Sequence, residues 1–220
     1  MAFLDRYRAV GYDHNPFATD SLAASEVFID CGLAPPSPHS RTLCQLIGDR
    51  GLGKTAHLRQ WRRSQPGPHH YIPLSPYSSR WQRPPMDAHD IGSGTVYGDE
   101  IDRMPSMLRS RWFRCLASAN ATVIVGTHVD LGPAAERAGF TVERHQLAPL
   151  TLAQVRCLIE TQLERVRIDT PLVGFNSGDL DTVYAQSAGV PREVEVLCHQ
   201  VFANKVALAA SGERQRLRTS

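Results

Sequence analysis

The sequence contains very little lysine and no long apolar run. Of its 24 basic residues, only Lys54 and Lys205 are lysines. No stretch approaches the ~18 apolar residues that a membrane-spanning helix requires. The segment 1–10 carries charged residues where a signal peptide has its apolar region. We therefore expect a cytoplasmic protein without a membrane segment.

Cysteine usage and net charge exclude further classes. The five cysteines are odd in number and form no C-x-x-C pair, so neither a disulfide framework nor a zinc module is indicated, and we expect small core residues. The net charge of +2 is too weak to argue for nucleic-acid binding by itself. His69 and His70 have no partner at ligand spacing and read as the start of a strand. No Asn-Lys-x-Asp run indicates guanine specificity.

The segment Gly48–Thr55 matches the phosphate-binding pattern G-x-x-x-x-G-K-[ST] in full. An apolar strand, Thr42–Ile47, precedes it, and a helix is predicted from Lys54 to Arg63. Backbone N–H groups of such a loop, with the positive end of the following helix, bind a triphosphate. Lys54 would contact the β- and γ-phosphates and Thr55 would ligate Mg²⁺. The expected nucleotide-binding residues are Gly48, Asp49, Arg50, Gly51, Leu52, Gly53, Lys54, Thr55 and Ala56.

An acidic pair follows a second predicted strand, Thr95–Gly98. Asp99 and Glu100 come where ligands are reached in parallel sheets, at the carboxyl end of the strand. We expect Asp99 to hold Mg²⁺ with Thr55, and Glu100 to polarise the attacking water.

The remaining pattern gives the domain organisation. We expect an α/β fold, a three-layer P-loop NTPase core with a parallel sheet, followed by a small all-helical lid. The predicted boundaries are an N-terminal extension packing on the core (1–41), the core (42–148), the lid (149–210) and a frayed tail (211–220). Thr151 and Gln154 form a capping box at the start of the lid, and Ser177 is expected to cap its second helix. The Pro- and Gly-rich segment 75–94 reads as a surface loop.

Four segments in this order resemble stations of the AAA+ ATPases. Segment 48–55 looks like Walker A, 96–103 like Walker B, 123–128 like sensor 1 and 189–192 like sensor 2. Within that superfamily, three further features are similar to the general-secretion-pathway and transposon-helper ATPases: the Asn-Pro-Phe at 15–17, the segment 147–151 and the run that begins Gly-Val-Pro-Arg. The resemblance covers roughly residues 11 to 208.

The resemblance implies roles for residues outside the phosphate loop. Thr127, or alternatively His128, would sense the γ-phosphate, and Arg192 would reach the nucleotide from the lid. Arg137 or Arg144 would act in trans on a neighbouring subunit's ATP, so a homo-oligomer is expected. The family also implies a DNA or a transposition or secretion protein as partner.

Departures from the family pattern leave alternatives open. Gly98 replaces the usual bulky residue before the acidic pair, which is expected to weaken the strand and loosen the carboxylate. Segment 75–94 replaces the pore-loop region, so polypeptide threading is not supported, although Arg80, Trp81 and Arg83 in it suit a nucleic-acid backbone. An ATPase motor or loader, a non-hydrolysing nucleotide-gated scaffold and a small-molecule kinase therefore compete.

Overall fold

The computed structural model describes residues 5–18, 28–29, 31–36, 41–65, 67–73 and 94–219. The chain divides into two compact units, Gly32–Ala148 and the combination of Met1–Cys31 with Pro149–Ser220. The candidates Arg80, Trp81 and Arg83 lie outside the described residues. The sequence also predicts a short helix from Asp20 through Ile29. Most of it lies outside the described residues, and Phe28 and Ile29, which are described, are not helical.

The unit Gly32–Ala148 is built on five parallel strands. In chain order the elements of the described residues are α1 (Asp5–Arg8), β1 (Thr42–Ile47), α2 (Lys54–Ser64), β2 (His69–Pro73), β3 (Thr95–Asp99), a 3-10 turn (Ile101–Arg103), α3 (Ser106–Ser118), β4 (Thr122–Thr127), α4 (Gly132–Glu136), β5 (Thr141–Gln146), α5 (Leu152–Val166), α6 (Ser177–Ser187) and α7 (Pro191–Thr219). The strand order is β2-β3-β4-β1-β5, and every neighbouring pair is parallel. The predicted α/β fold with a parallel sheet is confirmed.

The two faces of this sheet are covered by different helices. On one face, residues such as Leu43, Val123 and Val125 pack with Trp112 and Phe113 of α3, all fully buried. Helix α2 covers the other face. Trp61 of α2 makes an edge contact with His145 of β5, and the guanidinium of Arg62 lies 5.0 Å from the centre of the Tyr71 ring on β2. The sheet thus separates an apolar face from a face that carries α2.

The second unit is helical. Residues Tyr7, Tyr12 and Phe17 pack around Phe202 of α7, with ring centroids 5.1 to 6.2 Å from its own. The described residues up to Cys31 therefore group with the C-terminal helices, and those from Gly32 onward group with the strand unit. The boundary expected at residue 41 falls after residue 31 in this division, because these aromatic rings complete the apolar cluster of the helices.

Helix termini in this unit follow capping rules. The predicted capping box at α5 is confirmed, since Thr151 accepts from the N–H of Gln154 at 3.3 Å and donates its own N–H to the Gln154 side chain at 2.9 Å. The cap of α6 is Asn176 rather than Ser177, because Asp179 stands at the third helical position and closes a reciprocal box. Helix α7 begins at Pro191 and extends to Thr219, past the predicted end of the lid at 210.

Gly189, the first residue of the Gly-Val-Pro-Arg segment, is hydrogen-bonded to Leu150, which lies just before α5. Gly189 has φ +73°, and its carbonyl accepts the N–H of Leu150 at 2.8 Å. A Cβ at this position would clash with the carbonyl oxygen of Leu150. Only glycine tolerates both the left-handed backbone and this close approach. The two segments that carry the resemblance at 147–151 and 189–192 are therefore joined by a backbone hydrogen bond.

Candidate nucleotide-binding site

The phosphate loop connects β1 to α2 and has the conformation that its glycines permit. Gly51 and Gly53 both have φ +88°, in the left-handed region that L side chains rarely adopt. Helix α2 then begins at Lys54 without a side-chain cap. Its first N–H groups are consequently available to an anion, which is the arrangement predicted from the motif.

Lys54 lies over this loop and is almost fully buried. Its Nζ donates to the carbonyl oxygens of Gly48 at 2.7 Å and Asp49 at 2.9 Å. Burial lowers the pKa of Lys54, while the charges of Asp99, Asp102, Glu100 and Asp49 act in the opposite direction. The ammonium is thus surrounded by carboxylates at the end of the sheet.

Thr55 and Asp99 are in direct contact. The hydroxyl of Thr55 donates to Oδ2 of Asp99 at 2.7 Å, and the Tyr71 hydroxyl approaches the same oxygen at 3.3 Å. Burial, followed by the Asp99 charge, raises the pKa of Tyr71, so this hydroxyl keeps its proton. The other carboxylate oxygen, Oδ1 of Asp99, is buried and has no hydrogen-bond partner within the described part of the chain.

These residues fit a magnesium ion. Mg²⁺ prefers oxygen ligands and usually takes one or two protein groups together with substrate phosphates. A buried carboxylate oxygen without a partner is costly unless a cation or a proton donor meets it. The Thr55 hydroxyl and the Asp99 carboxylate supply the expected oxygen donors beside the phosphate loop.

Glu100 has an unusual backbone and an internal partner. It adopts φ 56° and ψ 38°, and its Oε2 lies 2.7 Å from Nε of Arg103. A non-glycine residue in this region costs on the order of 1–3 kcal/mol, which the surrounding structure must offset. The carboxylate that is predicted to activate water therefore lies on a strained turn and forms an ion pair with an arginine of the same turn.

Gly98 does not leave a gap in the sheet. A Cβ built there would lie 2.5 Å from Cγ1 and 2.7 Å from Cδ1 of Ile101, which is fully buried. The 3-10 turn folds its isoleucine back over β3 and fills the space that a bulky residue would occupy. The expectation of a loosened carboxylate is corrected, because Asp99 is fixed by Thr55 and the strand is covered by Ile101.

At the end of β4, the structure separates the two sensor candidates. The Thr127 hydroxyl is buried and bonds to the backbone of Val129, donating to its carbonyl at 2.8 Å and accepting its N–H at 3.2 Å. His128 instead pairs with Asp102, whose Oδ2 is 3.1 Å from the ring Nδ1 and whose Oδ1 accepts the His128 N–H at 3.3 Å. Sequence reasoning missed Asp102 and Arg103, although their positions two and three residues after the acidic pair are a readable signal.

The two arginines considered for action in trans differ in their surroundings. Arg144 on β5 forms ion pairs with Asp130 at 3.1 Å and with Glu136 at 2.9 Å. Burial opposes ionisation of Asp130, but hydrogen bonds from Gln45, the Gly132 N–H and Arg144 lower its pKa. Arg137 follows α4 directly and is exposed.

Arg192 belongs to the helical unit. It is the second residue of α7 and is exposed. Burial raises the pKa of Glu195 one turn later, while the charge of Arg192 lowers it. Its predicted contact with nucleotide stays a prediction.

No protein-family model and no curated protein matches this sequence. Among solved structures, the chain is similar to the Orc1 protein of Aeropyrum pernix in complex with DNA, with 19% identity and a TM-score of 0.48 over 73% of this chain and 53% of that one. It is also similar to a Signal Transduction ATPase with Numerous Domains from Pyrococcus horikoshii that has a tetratricopeptide repeat sensor, with 10% identity and a TM-score of 0.44. That match covers 69% of this chain and 26% of the other.

The chain therefore spans about half the length of the first structure and about a quarter of the second. The chain has a P-loop NTPase-like fold, because its sheet is parallel in the order β2-β3-β4-β1-β5 and a glycine-rich loop connects β1 to α2. Within the described part of the chain, no helix combines the length and the apolar character needed to span a membrane.

Proposed function

We propose that this chain is an AAA+-type ATPase that binds Mg-ATP and hydrolyses it to drive assembly or remodelling of a DNA or protein complex. The observation that carries the proposal is the contact between the Thr55 hydroxyl and Asp99 at 2.7 Å. It brings the last residue of the phosphate loop to the carboxylate at the end of β3, beside the buried ammonium of Lys54. This contact supports the proposal that the phosphate loop and the carboxylate at the end of β3 form one site.

In this proposal each side chain has a defined task. Lys54 exchanges its loop carbonyls for phosphate oxygens, and Thr55 with Asp99 holds the metal. Bound Mg²⁺ would neutralise charge on the phosphate oxygens. Glu100 accepts a proton from the attacking water, which requires its carboxylate to turn from Arg103 towards that water.

We propose His128 rather than Thr127 as the group that senses the γ-phosphate. The Thr127 hydroxyl is already bonded to Val129, whereas Asp102 orients the His128 ring from one side. Asp102 is among the carboxylates whose charge acts on Lys54, which supports a position of this pair close to the phosphate loop. Arg192 remains the proposed contact from the helical unit.

Assembly and partner follow from the resemblance. If subunits complete each other's sites, Arg137 is the better candidate in trans, because Arg144 is held by two carboxylates. DNA or a transposition or secretion protein is the proposed partner, with ATP and Mg²⁺ as cofactors. A nucleotide-gated switch without hydrolysis is the second candidate, and the Glu100–Arg103 ion pair favours it.

The test is phosphate release from Mg-ATP over a range of protein concentrations, with and without duplex DNA. We expect turnover that rises faster than linearly with protein and falls about 100-fold or more in Glu100→Gln, since loss of a catalytic acid–base group costs 10²–10⁴-fold. The matched control is Glu160→Gln, an exposed glutamate on α5. Lys54→Ala should abolish ATP binding, whereas Lys205→Ala should retain it.

Three outcomes are informative. Retained ATP binding without turnover under any condition would favour the switch. Phosphate transfer only when a small-molecule acceptor is present would indicate a kinase. If Lys54→Ala binds ATP as tightly as the unaltered protein, the proposed nucleotide site is wrong.

A further inference from the structure

Three potential metal ligands meet where β1 pairs with β5. Cys44 pairs with Glu143 in the parallel register, and His145 follows two residues later on the same face. One ligand atom from each of the three, the thiol sulfur, a carboxylate oxygen and a ring nitrogen, lies within 4.8 Å of the other two. The sequence separates Cys44 from the other two by most of the unit, so only the strand pairing reveals this cluster.

One of these side chains has a polar atom without a partner. Nε2 of His145 is buried and has no hydrogen-bond partner among the described residues. The Cys44 side chain is fully buried. Buried polar atoms without a partner are uncommon in folded proteins and call for an explanation such as a bound ion.

The electrostatics also suit a cation. The Cys44 thiol and the Glu143 carboxylate lie side by side in the strand register. A thiolate and a carboxylate placed side by side repel each other. A divalent cation between them would turn this repulsion into attraction and would take the place of the thiol proton.

We propose that Cys44, Glu143 and His145 form a binding site for a divalent metal ion of the zinc class. Sulfur, imidazole nitrogen and carboxylate oxygen are the three ligand types that Zn²⁺ accepts, and three protein ligands leave one position for water or another group. The ion would connect the edge strand β5 to β1. The site is distinct from the Mg²⁺ site at Thr55 and Asp99, which offers oxygen ligands only, and the proposal does not depend on ATP hydrolysis.

At this location a bound ion would have a structural role. Strand β5 lies at the edge of the sheet and most of its side chains are partly or fully exposed. Trp61 of α2 packs against the His145 ring, with centroids 6.4 Å apart. An ion held here would fix β5 and the helix that begins at the phosphate loop against the same strand.

The experiment is titration of the chelator-treated full chain with Co²⁺, followed by the thiolate-to-cobalt absorption band, and then displacement by Zn²⁺. We expect a one-to-one complex with this band, lost in Cys44→Ala and weakened more than about tenfold in His145→Phe and Glu143→Gln, because even groups outside the ligand set change affinity 10–100-fold. His145→Phe keeps a ring against Trp61. Circular dichroism establishes that each variant is folded.

Matched controls separate this site from other sources of binding. Cys157→Ala removes an exposed cysteine and should leave the band unchanged. Asp99→Asn should also retain the band, since it alters only the oxygen site. The proposal is overturned if the folded, unaltered protein gives no thiolate band, or if the band persists in Cys44→Ala at equal strength.

Discussion

The two faces of the same five-stranded sheet have different contents. The face that meets α3 buries Leu43, Val123 and Val125 against aromatic rings. The face that meets α2 carries Tyr97, Cys44 and the two candidate ligands of β5. Helix α2 starts at the phosphate loop, so this face also carries the first turn of the proposed nucleotide site. The comparison indicates that one face supplies stability while the other accommodates chemistry.

The largest effect is expected on the apolar face. Phe113 is fully buried and contacts Trp112 and Phe140 at ring centroid distances of 5.4 and 5.9 Å. Phe113→Ala should lower the free energy of unfolding by about 3–5 kcal/mol, because it removes apolar contact and leaves a cavity. Urea unfolding measures this. Met107→Ala on the same helix, at 82% exposure, should change it by less than about 0.5 kcal/mol.

The next effect tests how Gly98 is packed on that face. Gly98→Ala should cost about 1–3 kcal/mol, because its Cβ would overlap the Ile101 side chain. The Gly98→Ala/Ile101→Ala double variant should be more stable than the sum of the single changes predicts, with a coupling of about 0.5–3 kcal/mol. Strict additivity would show that Ile101 does not fill the space beside β3.

Local rules predicted much of this molecule from its sequence. The strands predicted at Thr42–Ile47 and Thr95–Gly98 are observed at Thr42–Ile47 and Thr95–Asp99, since apolar runs between loop signals identify buried strands. The capping box at Thr151 needed only the residue three positions later. The same rule, applied at Asn176 with Asp179, would have identified the cap of α6, where Ser177 was the competing choice.

Contacts set by strand register or by a turn's path were not predictable. The approach of Cys44 to Glu143 depends on which strand becomes the edge and on its alignment. The packing of Ile101 over Gly98 depends on a 3-10 turn that reverses the chain after β3. Asp99 was expected beside Thr55, because the phosphate-loop motif places Thr55 and the end of a parallel strand places Asp99 at the same edge of the sheet. No motif relates Asp102 to His128, so their pairing was not expected. The catalytic roles of all these residues stay predictions.

A smaller effect is expected on the α2 face, where the stability cost of replacing Cys44 should depend on pH. The pKa of Cys44 is about 12 in the folded chain, against an ordinary value of 9.0. A raised pKa gives stability that is complete below about pH 9 and is lost as pH rises towards 12, because the unfolded chain ionises first. The cost of Cys44→Ala should therefore shrink above pH 9, by at most about 1.4 kcal/mol per pH unit.

Urea unfolding of chelator-treated protein between pH 7 and pH 10, with the unaltered chain beside Cys44→Ala, measures this difference. Cys157→Ala is the control, because the exposed Cys157 is expected to ionise similarly in both states. A cost of Cys44→Ala that stays constant with pH would contradict burial of the thiol.

The smallest effect concerns a single hydroxyl on the α2 face. The Tyr97 hydroxyl donates to Oε1 of Gln65 at 2.8 Å, and Gln65 in turn donates to the Pro36 carbonyl at 2.7 Å. Tyr97→Phe keeps the ring and removes one hydrogen bond, so a loss of about 0.5–1.5 kcal/mol is expected. Burial raises the pKa of Tyr97 to about 12, so this loss should hold up to about pH 10 and shrink above it as the unfolded tyrosine ionises. Urea unfolding at pH 7 and pH 10.5 measures both parts, with Phe113→Ala as the pH-independent reference from the opposite face. If Tyr97→Phe costs as much as Phe113→Ala, the α2 face contributes to stability as the apolar face does and the contrast between them fails.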